Sequence, residues 1–210
     1  MAYDLEEQEQ IEQLKAWWNR YGSLALGLLT LALVIVLGWQ GWGWYQNNQA
    51  TQARGYFEAL ERASEQPGAD AMPRIVAAMD TLKTDFAQTD YAARAALVAA
   101  QALEARDDLA GAQKTLEWLS QSSHEALAPV ATLRLAGLLL DVQQYEQALA
   151  ALASAPPAFE GLYADRRGDI YAAQGNREKA VEQWREALTQ IGMNQGLASA
   201  LQLKIDTLGG

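Results

Sequence analysis

The sequence predicts an all-α protein in which a single transmembrane helix is followed by a solenoid of helical hairpins. Three observations lead to this fold class. A long uncharged apolar segment lies near the N-terminus, the rest of the chain is rich in Ala and poor in β-branched residues, and a helical pattern recurs about every 34 residues. Ala loses the least free energy on entering a helix, and β-branched residues lose more. We therefore expect helices throughout, with roughly 165 residues left for one compact domain after the anchor.

The transmembrane helix is predicted at residues 22–45. No charged residue lies between Arg20 and Arg54, and residues 24–37 are almost wholly apolar. About 20 apolar residues in a helix cross the hydrocarbon core of a bilayer. Aromatic residues, which prefer the headgroup level, flank both ends of the segment: Trp17, Trp18, Tyr21, Trp39, Trp42, Trp44 and Tyr45.

A buried core helix and a cleaved signal peptide are the alternatives to a membrane anchor. A domain of this size rarely buries so long an apolar helix. A signal peptide has a short basic segment before its apolar run, whereas the first 20 residues here carry five acidic side chains. An uncleaved signal anchor is therefore favoured.

The orientation of the anchor follows from the basic residues around it. Lys15 and Arg20 precede the span and Arg54 and Arg62 follow it, so the counts on the two sides are nearly equal. Arg20 lies closer to the apolar run than Arg54 does, which favours a cytoplasmic N-terminus. The segment before the span is expected to be helical, either as a solvated lead-in or as a contact for a partner.

Charge and composition exclude several functions. Residues 46–210 carry 14 basic and 21 acidic side chains, a net charge of −7, and an acidic surface repels the phosphates of nucleic acid. The absence of Cys excludes disulfides, Cys-based zinc sites and thiol nucleophiles. His124, the only histidine, lies in a polar run and is expected in an exposed loop.

An enzymatic function is not expected. Catalysis needs a positioned nucleophile, an acid–base pair or a metal ion. The chain has no Gly-x-Ser-x-Gly motif, no phosphate-binding glycine loop and no His-x-x-x-His pair. We therefore predict a protein that binds other proteins and uses neither cofactor nor metal.

Residues 168–188 match the tetratricopeptide pattern, in which two helices form a hairpin. The positions that define the pattern are the close helix crossing, the filled interior and the turn, and they are occupied by Gly168, Tyr171, Gly175, Asn176, Ala180 and Trp184. The same frame recurs upstream, where Ala148 and then Ala112 take the place of Ala180. The spacings are 32 and 36 residues, with a mean of 34, the tetratricopeptide period. The sequence thus predicts a tetratricopeptide-like helical-hairpin solenoid, with an irregular Ala-rich bundle as the alternative.

Helix boundaries are predicted from apolar periodicity and from turn residues. The anchor helix is expected to continue to about residue 65, where Pro67-Gly68 breaks it, and Pro156-Pro157 marks a later loop. The further helices are predicted at residues 73–86, 91–105, 109–120, 126–140, 145–153, 159–174, 177–191 and 195–208. The last of these is expected to cap the open end of the stack.

Four groups of residues occur in a characteristic order along the chain: Tyr3, Glu6 and Glu7; then Leu14, Lys15, Trp17 and Trp18; then Gly55, Tyr56 and Phe57; then Thr89, Asp90, Tyr91 and Ala92. Together with the single span and the degenerate repeats, this order resembles the YfgM family, the ancillary subunit of the bacterial Sec translocon. The resemblance covers essentially the full length of the chain.

The resemblance implies a protein of the bacterial inner membrane. Residues 1–21 would be a cytoplasmic segment, residues 22–45 the transmembrane helix and residues 46–210 a periplasmic domain. It implies association with the SecYEG translocon and with a PpiD-type periplasmic chaperone, and a link to the Rcs stress regulator. The implied function is an adaptor that passes translocated proteins to periplasmic chaperones. A structural scaffold of another envelope assembly, or a regulator of envelope stress signalling, is the alternative.

A protein-binding groove is predicted along the first helix of each hairpin, which lines the inner side of a tetratricopeptide stack. The residues of this predicted groove are Arg94, Leu97, Val98, Gln101, Val130, Leu133, Arg134, Gly137, Leu162, Asp165, Arg166 and Asp169. Their mixture of Leu, Val and a few charges suits a helix or an apolar segment better than a C-terminal carboxylate. The alternative is that the Leu and Val side chains only pack the next hairpin.

Overall fold

The computed structural model describes residues 2–68, 70–190 and 195–209, with side chains described between residues 9 and 208. Within these ranges the protein is helical and has no strand, which confirms the all-α fold class. The helices are α1 (Ala2–Glu65), α2 (Ala71–Asp85), α3 (Asp90–Glu104), α4 (Leu109–Ser120), α5 (Ala128–Asp141), α6 (Tyr145–Ala151), α7 (Glu160–Ala173), α8 (Arg177–Gln190) and α9 (Gln195–Gly209). One 3-10 turn, Pro157–Phe159, precedes α7.

The chain divides into two compact units, Met1–Gln49 and Ala50–Gly210. In the first unit, the large apolar side chains of α1 from Leu24 to Tyr45 are exposed. Only 6% of the most apolar stretch of this helix is buried within the protein, so a buried core helix is excluded. Within the described residues it is the one helix long and apolar enough to cross a membrane.

Aromatic rings cluster at both ends of the apolar stretch of α1. The centroid of Trp17 lies 6.3 Å from that of Trp18 and 6.0 Å from that of Tyr21. At the other end, the rings of Trp42 and Tyr45 lie 6.1 Å apart. Rings in these positions suit the two interfaces of a bilayer.

The second unit consists of hairpins stacked in sequence. Helix α3 pairs with α4, α5 with α6, and α7 with α8, and the contacts of α4 with α5 and of α5 with α7 join neighbouring hairpins. Helix α2 packs on α3 at one end, and α9 packs on α8 at the other. The hairpin arrangement predicted from the 34-residue period is therefore confirmed, and an irregular bundle is excluded.

The repeat frame is visible in the packing of the second helices. Ala112, Ala148 and Ala180 occupy equivalent positions in α4, α6 and α8, and all three are fully buried. The side chain of Trp184 is buried beside Ala180, as expected for the interior of the last hairpin, whereas Tyr171 is only half-buried. Small side chains at these points let the two helices of a hairpin approach closely.

The three hairpins also share one turn geometry. Two or three positions after the end of each first helix, one residue has a positive φ: 61° at Asp107, 62° at Gln143 and 77° at Gly175. The next N–H then donates to a carbonyl near the helix end, across 3.0 Å to Leu103, 2.8 Å to Leu139 and 2.9 Å to Tyr171. This is the hydrogen bond that closes a Schellman motif. Of the three turns, only the last has glycine at this position, the residue that adopts a positive φ most easily.

Gln143→Gly is expected to stabilise the protein by about 0.5–1 kcal/mol. A left-handed backbone conformation costs a residue other than glycine about 1–2 kcal/mol. Glycine removes this cost, but its greater freedom in the unfolded chain offsets part of the gain in stability. The measurement is the unfolding midpoint of the detergent-solubilised chain by circular dichroism. Gln144→Gly is the matched control, because φ is −87° there and glycine brings no relief. A lower midpoint for Gln143→Gly than for the parent would contradict this account of the turn.

The predicted helix boundaries differ from the observed ones by at most two residues, apart from the 3-10 turn. Helix α2 begins earlier, at Ala71, and α6 ends earlier, at Ala151. Helix α5 begins at Ala128 because the carbonyl of His124 accepts hydrogen bonds from the N–H groups of Leu127 and Ala128, which forms a separate turn. The predicted end of the eighth helix, Ile191, lies outside the described residues.

His124 lies in a loop as expected, but the expectation that it is exposed is wrong. Its side chain is only 10% exposed, with Nε2 2.9 Å from the carbonyl oxygen of Ala87 and Nδ1 3.9 Å from Oδ1 of Asp90. In the same place, the hydroxyl of Ser123 donates to the side-chain oxygen of Gln88 across 3.2 Å. The α4–α5 loop is thus fastened to the loop before α3. A local polar run does not reveal such a contact, because its partners are 35 and 37 residues away.

Arg106 fastens the end of α1 to the first hairpin. Its Nη2 donates to the carbonyl oxygens of Ser64 and Gln66, each across 3.0 Å, and its Nη1 donates to that of Ala102 across 2.8 Å. The last carbonyls of a helix lack partners within the helix and carry partial negative charge, so a guanidinium there is favourable. Leu60 and Ala63, in the last turns of α1, join the same core as α3.

Candidate protein-binding site

The first helices of the hairpins enclose a cavity of about 550 Å³. Its lining comes from α3, α5 and α7, with one residue from the start of α4 and one just after α5. We call it the charged cavity, and its lining residues are Gln101, Glu104, Leu109, Arg134, Gly137, Leu138, Asp141, Val142 and Arg166. Two guanidinium groups and two carboxylates thus share one concave surface.

The charged cavity brings together part of the predicted groove. Gln101, Arg134, Gly137 and Arg166 come from three different helices and line the same space. These four positions of the predicted groove therefore line one recess, and their role in binding stays a prediction.

The two arginines of the charged cavity are available to a ligand. Arg134 Nη1 donates to the carbonyl oxygen of Leu97 across 3.2 Å. The guanidinium of Arg166 lies against Gly137, with Nη1 3.6 Å from where a Cβ on that glycine would be. In the described part of the chain, neither guanidinium has a carboxylate oxygen within 4.0 Å. Their charges are not neutralised by close ion pairs.

Burial dominates the electrostatics of Glu104. Loss of hydration raises the pKa of Glu104, the nearby charge of Arg134 lowers it, and the charge of Asp141 raises it further, so the net shift is upward. Sequence reasoning missed both acids. Glu104 follows Gln101 by three residues and Asp141 follows Gly137 by four, so each acid lies one helical turn after a predicted groove residue. The helical period could therefore have placed both acids on the same face.

Other residues of the predicted groove lie outside the cavity. Leu97, Val98 and Leu133 are half-buried and pack against the main core. This agrees with the alternative that the Leu and Val side chains only pack the neighbouring hairpin. Val130 is also half-buried, whereas Arg94 and Leu162 are exposed and do not line the charged cavity. The cavity is consequently more polar than the predicted groove.

Asp165 and Asp169 are occupied by the last helix. Lys204 Nζ on α9 donates to Oδ1 of both carboxylates, each across 2.7 Å, and lies 5.6 Å from the centroid of the Trp184 ring. The indole Nε1 of Trp184 also donates to Asp169, across 3.2 Å. These two acids therefore hold the capping helix in place rather than presenting charge to a partner.

A second, larger recess of about 910 Å³ lies on the other side of α5. We call it the apolar groove. It is bounded by the C-terminal part of α4, by α6 and by the segment after α6, with α5 as its floor. Its lining residues are Glu117, Ser120, Gln121, Glu125, Ala128, Pro129, Thr132, Leu135, Leu139, Gln147, Ala151, Ser154, Pro156, Pro157, Ala158, Phe159 and Tyr163. Sequence reasoning did not find this groove.

A long exposed apolar helix and a stack of helical hairpins with two recesses define a class of protein: a tetratricopeptide-like binding module with a candidate membrane anchor. The family profile described as "Tetratricopeptide repeat-like domain" matches residues 15–210. One solved structure, titled "MamA RS-1 ArsTM double mutant", is similar with a TM-score of 0.48 and 18% identity over 77% of this chain and 94% of that one. So distant a likeness supports no argument.

Curated relatives identify the family. The chain is 31% identical to the "Ancillary SecYEG translocon subunit" of Neisseria gonorrhoeae, over 99% of this chain and 100% of the relative. Proteins of the same name from Haemophilus influenzae and Escherichia coli K12 are 29% and 28% identical, over 89% and 96% of this chain and 91% and 96% of theirs. The chain belongs to this family of ancillary SecYEG translocon subunits, the YfgM family, as the order of sequence elements predicted. A translocon subunit with such a domain is a non-enzymatic kind of protein.

Proposed function

We propose that this protein is a membrane-anchored adaptor of the Sec translocon, which binds the channel and links translocated proteins to a periplasmic chaperone. The observation that carries the proposal is the near full-length match to relatives named for the SecYEG translocon. A stack of helical hairpins supports it, because such stacks present extended surfaces for protein binding. The adaptor role needs no chemistry of its own.

The proposed location is the bacterial inner membrane, with residues 1–21 in the cytoplasm, residues 22–45 in the bilayer and residues 46–210 in the periplasm. Arg20 beside the apolar run supports this orientation. A reporter enzyme that is active only in the periplasm, fused after Gly210, is expected to be active. Activity of a cytoplasmic reporter at the same position would reverse the proposed orientation.

We assign the contact with the channel to the anchor. The rings of Trp39, Trp42 and Trp44 are exposed on α1, and they are more numerous than insertion of a Leu-rich segment requires. The surfaces of Gly38 and Gly41 are open, because a Cβ added to either glycine would meet no atom within 4 Å. Open backbone beside large rings suits lateral packing against another transmembrane helix.

We assign the contact with a PpiD-type chaperone to the charged cavity. Among the described residues, Arg134 and Arg166 have no carboxylate oxygen within 4.0 Å, and Glu104 and Asp141 offer acceptors beside their guanidinium groups. A polar segment of mixed charge is the partner that such a surface fits, since paired charges of opposite sign fix register and orientation. The Rcs regulator is the alternative partner for the same surface.

Exchanging residues 22–45 for an unrelated apolar span is expected to weaken association with SecYEG and to leave a chaperone bound. Arg134→Glu combined with Arg166→Glu is expected to do the reverse. The measurement is co-purification of both partners with each variant from mild detergent. Arg177→Glu combined with Arg185→Glu, two exposed arginines of α8 outside both recesses, is the matched control for charge. Full retention of SecYEG by the exchanged anchor would show that the domain after it carries the association.

A further inference from the structure

The apolar groove exists because α6 is short. Helix α4 extends eight residues past Ala112 and α8 extends ten past Ala180, but α6 ends three residues past the equivalent Ala148. The missing five to seven residues correspond to about 7–10 Å of helix. The gap lies over α5, between Ala128 and Leu139, and beside the C-terminal part of α4, where the rest of α6 would lie in a regular repeat.

The sequence after α6 prevents a helix as long as α4 or α8. Pro156 and Pro157 have no N–H to donate, and a residue before proline avoids the helical conformation. The chain instead forms the 3-10 turn Pro157–Phe159, whose Phe159 ring borders the groove. The layer of second helices is therefore incomplete at this one hairpin.

The floor of the groove suits an apolar ligand. Leu135 and Leu139 supply apolar side chains. The two hydroxyl groups beside them already have partners within the chain. The hydroxyl of Thr132 donates to the carbonyl of Ala128 across 3.0 Å, and that of Tyr163 donates to the carbonyl of Pro129. A ligand therefore meets apolar surface and need not supply hydrogen bonds there.

The rim of the groove carries negative charge. Glu117 and Glu125 are its only charged lining residues among those described, and both are acidic. The surrounding domain is also acidic, at −7 for residues 46–210. Charge complementarity therefore favours a ligand with Lys or Arg beside its apolar face.

We propose that the apolar groove is a second protein-binding site, separate from the charged cavity, and that it accepts a short basic amphipathic helix of a partner protein. The bound helix occupies the place of the missing turns of α6 and completes the layer between α4 and α8. Its apolar side chains contact α5 and Phe159, and its basic side chains face Glu117 and Glu125. This is the helix-in-groove mode of recognition.

The test uses the full-length chain in phosphatidylcholine nanodiscs and a fluorescent helical peptide of about 14 residues, long enough to fill the gap, with Leu on one face and Lys on the other. Anisotropy is expected to report saturable binding beyond that to empty nanodiscs. Ser154→Trp, which fills the groove, and Glu117→Lys with Glu125→Lys are each expected to weaken binding by about tenfold or more. A peptide with Glu in place of Lys is expected to bind the charge-reversed variant better than the parent chain.

Matched controls lie close to the groove. Ala153→Trp places the same ring on an exposed neighbour that does not line the groove, and Glu178→Lys with Glu182→Lys reverses two exposed charges of α8. Both are expected to leave the affinity unchanged within about twofold. Equal binding by all variants, or loss of binding only with Arg134→Glu and Arg166→Glu, would overturn the proposal. So would self-association of the chain that Ser154→Trp abolishes, since a second copy would then occupy the groove. The assay contains no channel and no chaperone, so its failure leaves the adaptor proposal intact.

Discussion

Gly168→Ala is expected to lower the free energy of unfolding by about 1–3 kcal/mol, the usual cost of overpacking a core. A Cβ at this position would overlap the indole of Trp184. That ring cannot easily move, because it is buried and its Nε1 donates to Asp169 across 3.2 Å. The loss is expected although Ala is intrinsically better than Gly inside a helix by about 1 kcal/mol. Chemical unfolding of the full chain, followed by circular dichroism, measures it.

Gly137→Ala is the matched control. It makes the same change inside the neighbouring first helix, where a Cβ would meet only Arg166, at an ordinary contact distance of 3.6 Å. The gain in helix propensity is expected to dominate there, so stability rises by up to about 1 kcal/mol. Equal effects at the two glycines would contradict the close crossing at Gly168.

Lys204→Met is expected to destabilise the protein by about 1–3 kcal/mol and to loosen α9. Lys204 bridges Asp165 and Asp169, whose side chains are 19% and 24% exposed. Removing the ammonium leaves two half-buried carboxylates facing each other, which costs more than loss of an exposed pair and less than loss of a fully buried one. Met preserves the stem that covers Trp184. Hydrogen exchange of the α9 amides is expected to increase, and unchanged protection would contradict the role of Lys204.

The pH dependence of this interaction follows from the pKa of Lys204. Burial lowers that pKa, but the hydrogen bonds and charges of Asp165 and Asp169 outweigh burial, so the net shift is upward from the ordinary 10.5. The folded state therefore binds the proton more tightly than the unfolded state does. From neutral pH up to about pH 10.5, the stability difference between the parent chain and Lys204→Met is expected to be constant, and it is expected to shrink above that pH.

Lys114→Met, on the exposed side of α4, is the control for loss of a lysine charge, and it is expected to change stability by less than about 0.5 kcal/mol. Adding Asp165→Asn and Asp169→Asn to Lys204→Met is expected to restore part of the lost stability, because neutral amides then replace the two carboxylates. Additive losses would indicate that the three side chains are not coupled.

Much of the fold follows from the sequence alone. The uncharged segment between Arg20 and Arg54 predicts the long apolar helix, because hydropathy is a property of consecutive residues. The spacing of Ala112, Ala148 and Ala180 predicts the hairpins, because each repeat buries the same small residue at the same crossing. Both signals are local or periodic, and both are confirmed by the structure. The family was likewise recognisable from the order of its elements.

The candidate sites depended more on the tertiary structure. Asp165 and Asp169 belong to the predicted groove by position, but α9 returns 35 to 39 residues later and places Lys204 between them. The apolar groove arises from a helix that stops early, and its lining comes from separate segments of the chain. Sequence periodicity determines which face of a helix is apolar. Which side chains from distant helices meet, and which space stays unfilled, is decided only when the helices pack together.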